Sequence, residues 1–323
     1  MSDDAGRRSV HHRDMETTQR KTTEHGAGGL ETTRIGFVGL GHMGGNMAAR
    51  LLAAGHPVFG SSRVRDHARG LIDAGLEWRD TAREVTSDAD VVFTSLPDDA
   101  ALEDEASGIL GALDAATTWI DVSTVSPRLE RELAERARAR GAALLDAPVS
   151  GSVPQVRAGT LTIMVGGDPQ AYARVEPILR ELGTPTHVGD SGHGQVLKLA
   201  INISLAVQFL ALSEGLLLAD RAGLDRKLAL DVMTSSSIGS PLLQARAPLI
   251  LDLPEEAWFS LGLVRKDVGL ARAAANELGV PAPTADAAAE VLDEAERLGY
   301  DARDLAGLFE VLQRLPRPVA AAD

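Results

Sequence analysis

The stretch Ile35-Gly36-Phe37-Val38-Gly39-Leu40-Gly41-His42-Met43-Gly44 reads as a short buried strand, a glycine turn and the start of a helix. Gly39, Gly41 and Gly44 have G-x-G-x-x-G spacing. Alone that spacing is a weak signal. Here it follows a strand-like apolar run and precedes a helix-like one, Met43 to Ala54, which is the setting a dinucleotide site requires. The first glycine permits the turn, the second lets a pyrophosphate approach the backbone, and the third lets the helix pack on the strand. The helix N-terminus then favours the phosphate charge. Leu40, His42 and Met43 complete this cofactor loop; His42 fills a variable slot and is read as solvated.

Outward from that loop, strands alternate with helices. A second strand is expected at Pro57–Gly60. About twenty residues past the first glycine, an NAD site usually carries Asp or Glu for the ribose hydroxyls. This chain has Ser61-Ser62-Arg63-Val64-Arg65 there. Arginine forks onto a 2′-phosphate and serine donates to it, so Ser62 and Arg63 predict NADP rather than NAD. The bland alternative is a pair of exposed loop charges. Further strands are expected at Val91–Leu96, Trp119–Val122, Leu144–Asp146 and Leu161–Val165, with helices at Pro127–Arg140 and Pro169–Leu182. The pattern predicts an α/β fold, a doubly wound and mostly parallel sheet with helices on both faces. Ligands in such sheets bind beyond the carboxyl ends of the strands. Gly39–Gly44, Leu96-Pro97, Ser123-Thr124 and Ser150-Gly151-Ser152 all lie at such ends.

A second stretch, Gly189-Asp-Ser-Gly192-His-Gly194-Gln-Val-Leu-Lys198-Leu-Ala-Ile-Asn202, opens a long apolar run that reaches about Ala219. Its Leu, Ala and Ile content favours a helix, which places Lys198 and Asn202 on one face. A lysine and an amide in an apolar helix need partners or a job. The helix is read as the seam between two domains and the carrier of a proton-transfer group. A membrane span is the competing reading, since the length suffices, but Lys198, Asn202, Gln208 and Glu214 make it costly. Beyond Gly194 strand signals nearly vanish, and an all-helical C-terminal domain is expected, with loops near Gly239-Ser-Pro241 and Phe259–Asp267. The layout is a polar tail over 1–33, expected to be disordered, a nucleotide-binding domain over 34–193, a helical substrate and dimerisation domain over 194–315, and a tail over 316–323.

Composition narrows the function. Of 323 residues, 44% are hydrophobic and 24% charged, the balance of a globular protein. The net charge of -14 argues against nucleic acid as a partner. Cysteine is absent, which removes disulfides, thiolate nucleophiles and cysteine-bound metals. His11 and His12 lack further ligands at useful spacing, so no metal site is expected. A cytoplasmic location is expected from the cysteine-free composition, and no signal peptide is read ahead of the long apolar run.

Four stretches together resemble the β-hydroxyacid dehydrogenase family, which includes 3-hydroxyisobutyrate dehydrogenases and tartronate semialdehyde reductases. They are Gly39–Gly44, Asp146-Ala-Pro-Val-Ser-Gly-Ser152, Gly189 to Asn202, and Lys266-Asp267. The likeness spans about Arg34 to Leu315. It implies a Rossmann domain followed by an all-helical domain, with a homodimer or tetramer as the assembly. It further implies that Lys198 is the catalytic lysine and Asn202 the amide beside it. Ser150, Gly151 and Ser152 would hold a small substrate carboxylate. Ser123 and Thr124 would lie near the nicotinamide ribose and substrate, and Lys266 would close the cleft from the helical domain. The chain departs from the family at Ser152, where a second glycine is usual, and at Val153-Pro-Gln-Val156, where Gly-Ala is usual. Those changes bear on substrate shape more than on reaction type.

The activity so implied is interconversion of a small 3-hydroxy acid and its semialdehyde or oxo acid. Lys198 would give a proton in reduction and take one in oxidation. A free lysine titrates near ~10.4, so burial beside an oxidised nicotinamide must lower it. Imine reductases share the architecture and NADP use but carry another group at the lysine position. A 6-phosphogluconate dehydrogenase would have histidine where Ile201 stands. A non-catalytic binding module would typically have lost Lys198.

Overall fold

Residues 35–189 alternate strand and helix because each strand is a short run of β-branched and aromatic residues bounded by turn signals. A computed structural model describes residues 32–316 of the chain; the expected tails, 1–33 and 316–323, fall almost wholly outside the described residues. In order, the first domain holds β1 (Ile35–Val38), α1 (His42–Ala53), β2 (Val58–Ser61), α2 (Arg69–Asp73), β3 (Glu77–Trp78), α3 (Ala82–Asp88), β4 (Val91–Thr94) and α4 (Asp99–Ala112). Then come β5 (Thr118–Asp121), α5 (Pro127–Arg138), β6 (Ala143–Asp146), β7 (Val149–Ser150), α6 (Val153–Ala158), β8 (Leu161–Gly166), α7 (Pro169–Leu182) and β9 (Gly183–Gly189).

The sheet runs β3-β2-β1-β4-β5-β6-β8, with β7 and β9 both paired to β8. From β3 to β6 every pairing is parallel. β8 is antiparallel to β6 and β7 and parallel to β9, so the sheet is mixed at that edge. The chain reverses direction of winding between β1 and β4, and a crevice forms at such a switch point. Successive strand residues serve opposite faces. Phe37, Phe93, Ile120 and Leu145 pack with α1 and α7 residues such as Met47 and Leu179. Val38, Val92, Trp119 and Leu144 pack with Val85, Leu102 and Leu133 of α3, α4 and α5. The sheet is therefore covered on both sides.

After β9 every element is helical: α8 (His193–Arg221), α9 (Arg226–Ser235), α10 (Pro241–Arg246), α11 (Pro248–Leu251), α12 (Leu261–Glu277), α13 (Pro283–Arg297) and α14 (Leu308–Arg314), with a 3-10 turn at Leu305–Gly307. α8 starts against β8 and β9 and continues through α12, α13 and α14. Its Ala206, Phe209, Leu212 and Leu216 join Val264, Val268, Leu292 and Phe309 in a separate core. It is long and apolar enough to cross a membrane, yet five of its residues, Leu210 with the four just named, are buried in that core.

Several boundaries differ from the sequence reading. β4 stops at Thr94 rather than Leu96, because the Leu96 N–H turns away to donate to Ser123 Oγ (2.9 Å). Phe259–Asp267 is a loop only to Ser260 and is helical from Leu261, where Ser260 caps α12 through the Leu263 N–H. The short strands β3 and β7 carry too few residues for a periodic signal, and β9 hides among Thr, Pro and Gly.

Candidate active site

The glycine loop is shaped by close approach. A Cβ on Gly39 (φ +98°) would stand 2.3 Å from Ser95 O, and one on Gly44 would stand 2.1 Å from Gly39 O. Both positions exclude any side chain. A Cβ on Gly41 would meet nothing within 4 Å, so this backbone faces open space. Gly41 caps α1 without a side-chain hydrogen bond, and the first turn holds no acidic residue. The free N–H groups and the open approach fit a pyrophosphate. His42 is exposed, and its Nε2 lies 3.4 Å from Glu256 Oε1 of the helical half. At the end of β2, Ser61 is buried, while Arg63 is exposed and has no ion pair among the described residues. Arg65 lies over the Trp78 ring at 5.4 Å. No carboxylate stands at the position that would take ribose hydroxyls.

On α8, Lys198 is half-buried, one turn from the fully buried Asn202. Burial lowers the Lys198 pKa; nearby Asp267 opposes this and Lys266 adds to it. Asn202 Nδ2 donates to Asp267 Oδ2 (2.6 Å). A carboxylate accepts only, which fixes the amide orientation. Asn202 Oδ1 is then a buried acceptor with no donor among the described residues. Asp267, 3% exposed, sits 3.0 Å from Lys266 Nζ through its other oxygen. Burial raises its pKa, against Lys266, Lys198 and Asn202, which all pull it down. Lys266 Nζ also donates to the Thr124 carbonyl. The structure thus brings Lys198, Asn202, Lys266, Asp267 and Thr124 together from the two halves of the chain.

Residues 34–191 match the NAD-binding domain of 6-phosphogluconate dehydrogenase, and 192–312 match the NAD-binding domain of NADP-dependent 3-hydroxyisobutyrate dehydrogenase. The 3-hydroxyisobutyrate dehydrogenase of Pseudomonas aeruginosa is 36% identical over 293 residues, 86% of this chain and 98% of that protein. The chain belongs to the β-hydroxyacid dehydrogenase family. It is equally similar to the NAD-dependent L-serine dehydrogenase of Pseudomonas aeruginosa, 35% identical over 296 residues, with 88% of this chain and 98% of that one covered. Among solved structures, Psf3 in complex with NADP+ and 2-OPP matches with a TM-score of 0.79 and 30% identity, covering 86% of this chain and 99% of that one. The chain is accordingly an oxidoreductase acting on CH–OH groups with a nicotinamide cofactor.

The dehydrogenase site is braced by residues to which the sequence gave no role, although Asp146 opens one of the four stretches quoted above. Asp146, at the end of β6, is buried and accepts from Gly192 N (2.7 Å) and Gln195 N (3.0 Å) at the start of α8. A carboxylate on a helix N-terminus is favourable, and here it locks the lysine-bearing helix to the sheet. Burial is the largest influence on Asp146 and raises its pKa to about 6, although both N–H groups pull the other way. A Cβ on Gly194 would stand 2.7 Å from Asp146 Oδ2, and one on Gly166 2.4 Å from its Oδ1. Those glycines exist to admit this carboxylate. The signal available in the sequence was Gln195, a polar residue just inside an apolar helix.

The Ser150–Ser152 loop lies at the β7 end, with Gly151 at φ +133°. The Ser152 N–H and hydroxyl both reach Gln155 Oε1, at 2.9 and 3.1 Å. Gln155 closes a capping box on α6. The backbone donor expected to meet a substrate carboxylate is thereby engaged within the protein. Leu96 and Ser123 are joined by their hydrogen bond, and Pro97 is exposed beside them.

Proposed function

We propose that this chain is an NADP-dependent dehydrogenase that interconverts a small 3-hydroxy acid and its semialdehyde or oxo acid, with Lys198 as general acid and base. The observation that carries this reading is Lys198 itself. It is lowered in pKa by burial, one turn from an amide oxygen with no donor, between two domains. The bound nicotinamide supplies hydride transfer. Lys198 supplies the proton to the carbonyl oxygen in reduction and removes it from the hydroxyl in oxidation. Asn202 Oδ1 accepts from the Lys198 ammonium or from the substrate hydroxyl, which accounts for its missing donor. Gly39, Leu40, Gly41, His42, Met43 and Gly44 with Ser62 and Arg63 hold the nucleotide; Leu96, Pro97, Thr124 and Lys266 border it. Ser123, Thr124 and Ser150–Ser152 face the substrate.

The substrate class rests on two relatives whose names denote 3-hydroxy acids, 3-hydroxyisobutyrate and L-serine. NADP is preferred because Arg63 is exposed with no ion pair among the described residues, and Ser61-Ser62-Arg63 rather than a carboxylate ends β2. A homodimer is supported by apolar side chains left uncovered on α8 and α9. Leu218, Leu228 and Val232 are more than half exposed, and only 33% of the apolar window of α8 is buried. The test is reduction of NADP+ and NAD+ by a panel of 3-hydroxy acids, with Lys198→Ala alongside. The variant should lose ~10²–10⁴ in turnover while still binding nucleotide. Near-normal turnover would remove Lys198 from this role.

A further inference from the structure

At the ends of β5 and β6, three carboxylates are buried with no basic side chain bonded to any of them among the described residues. Asp121 ends β5, Glu130 points inward from the first turn of α5, and Asp146 ends β6; all are 0% exposed. Asp121 Oδ1 accepts from Thr94 Oγ1 and Ser123 Oγ. Glu130 Oε1 accepts from Gln195 Nε2 at 3.0 Å. That leaves Asp121 Oδ2 and Glu130 Oε2, both buried and, among the described residues, both without a donor, in two side chains linked to each other through Ser123 and Gln195. Two ionised carboxylates side by side in a dry interior are very costly. One proton between them satisfies both orphan oxygens. Burial and the charges of Asp121 and Asp146 push the Glu130 carboxyl well above the ordinary range, and the neutral Gln195 only partly opposes them.

This pair holds the parts that face the reaction. Ser123 Oγ donates to Asp121 and accepts from the Leu96 N–H. The Gln195 amide is held at three points: Nε2 donates to Glu130 and to Ser123 O (3.0 Å), and Oε1 accepts from Val125 N (3.3 Å). Thr124, whose carbonyl receives Lys266, lies between two of those anchors. Lys198 follows Gln195 by three residues, on a neighbouring part of the same helix face.

We propose that Glu130, in its protonated form, is a positioning residue: it shares its proton with Asp121 and, through Gln195, holds both the Ser123–Val125 loop and the turn of α8 that carries Lys198. The kinetic part of this claim rests on the reading of Lys198 as the proton-transfer group. Glu130→Gln keeps both bonds, since its amide donates to Asp121 and its oxygen accepts from Gln195. Glu130→Ala leaves Asp121 Oδ2 unpaired and takes away one of the two acceptors of Gln195 Nε2, which keeps only Ser123 O.

The experiment compares wild type, Glu130→Gln and Glu130→Ala in the full chain. At neutral pH the infrared spectrum of wild type should contain the carbonyl stretch of an un-ionised, buried carboxylic acid that Glu130→Gln lacks. Glu130→Gln should retain wild-type turnover. Glu130→Ala should lose about tenfold to a hundredfold in kcat, the scale of a small misplacement of a reacting group. Its Lys198 limb in the pH profile of kcat/KM should move towards that of a free lysine as the helix turn loosens and admits water. A purely structural role would lower Tm and leave that limb in place. Absence of the acid band overturns the proposal, as does equal damage from the Gln and Ala variants, or an unmoved limb. If Glu130→Ala does not fold, the infrared band and the turnover of Glu130→Gln decide. If Lys198→Ala retains full turnover, the positioning claim falls with the proposed mechanism, while the infrared band still reports on the acid pair.

Discussion

Lys266 Nζ, from the helical domain, donates to the backbone carbonyl of Thr124 in the nucleotide-binding domain and at the same time lies 3.0 Å from Asp267 Oδ1. One ammonium thus spans the two domains beside Lys198. The same cation lowers the pKa of Lys198, while Asp267 raises it. The pairing of Lys266 with Asp267 is no surface salt bridge, because Asp267 is buried and is also bonded to Asn202.

Removal of that bridge should weaken the closed arrangement. Lys266→Met is expected to lower kcat/KM about tenfold to a hundredfold, the worth of a hydrogen bond to a charged group. Steady-state kinetics against cofactor and substrate will show whether KM carries the loss.

The lowered pKa of Lys198 has opposite consequences in the two directions. Oxidation needs the neutral amine, so kcat/KM should rise as pH climbs through a pKa below the ordinary ~10.4. Reduction needs the ammonium and should fall over the same range. Lys198→Arg stays charged at all such pH values, and oxidation should be lost throughout. Parallel profiles in both directions would contradict the assignment.

Nucleotide choice turns on Arg63. Arg63→Ala should raise the KM for NADP+ about tenfold or more and leave that for NAD+ nearly unchanged, because only the 2′-phosphate is lost as a contact. An equal effect on both nucleotides would place Arg63 elsewhere in the site.

Gln155 now occupies the Ser152 N–H. Gln155→Ala should free that donor and lower the KM for small carboxylates severalfold. It also removes half of a capping box, at a cost of about 1 kcal/mol, which thermal unfolding will register separately.

Asp146 contributes to a pH-dependent stability of definite sign. Its folded pKa of about 6 lies above the ordinary 3.8, so the folded state binds the proton more tightly. This contribution favours folding fully below 3.8 and disappears as pH rises through about 6. Asp146→Asn should flatten the dependence of Tm on pH across that window. An unchanged slope would show that Asp146 keeps an ordinary pKa.

The architecture was legible in the sequence because its signals are local. Ile35–Gly44 carries a strand, a turn and a helix start within ten residues, and the structure reproduces that order with the switch point beside it. The apolar run after Gly194 likewise announced α8 and the end of the sheet. Lys198 and Asn202 stood out because polar residues in such a run are conspicuous. Glu130 was overlooked: in Pro127–Arg138 it is one of three glutamates on a charged amphipathic helix, and only its spacing of three from Leu133 and seven from Ala137 marks it as the one on the buried face. Gln155 was visible as a departure, but the N–H that it engages was not.

The amino-acid order by itself determined the longer strands and helices, apart from β3, β7 and β9, and that a lysine sits in the long helix that follows the sheet. Periodicity, glycine placement and residue size act over a turn or two of chain, so they can be read in one dimension. Only the folded chain decided that Asp146 grips the start of α8, that Asn202 meets Asp267, and that Glu130 and Asp121 confront each other. The first two join residues 46 and 65 positions apart, and the third depends on which face of α5 turns inward. Their energies exist only after water has been removed.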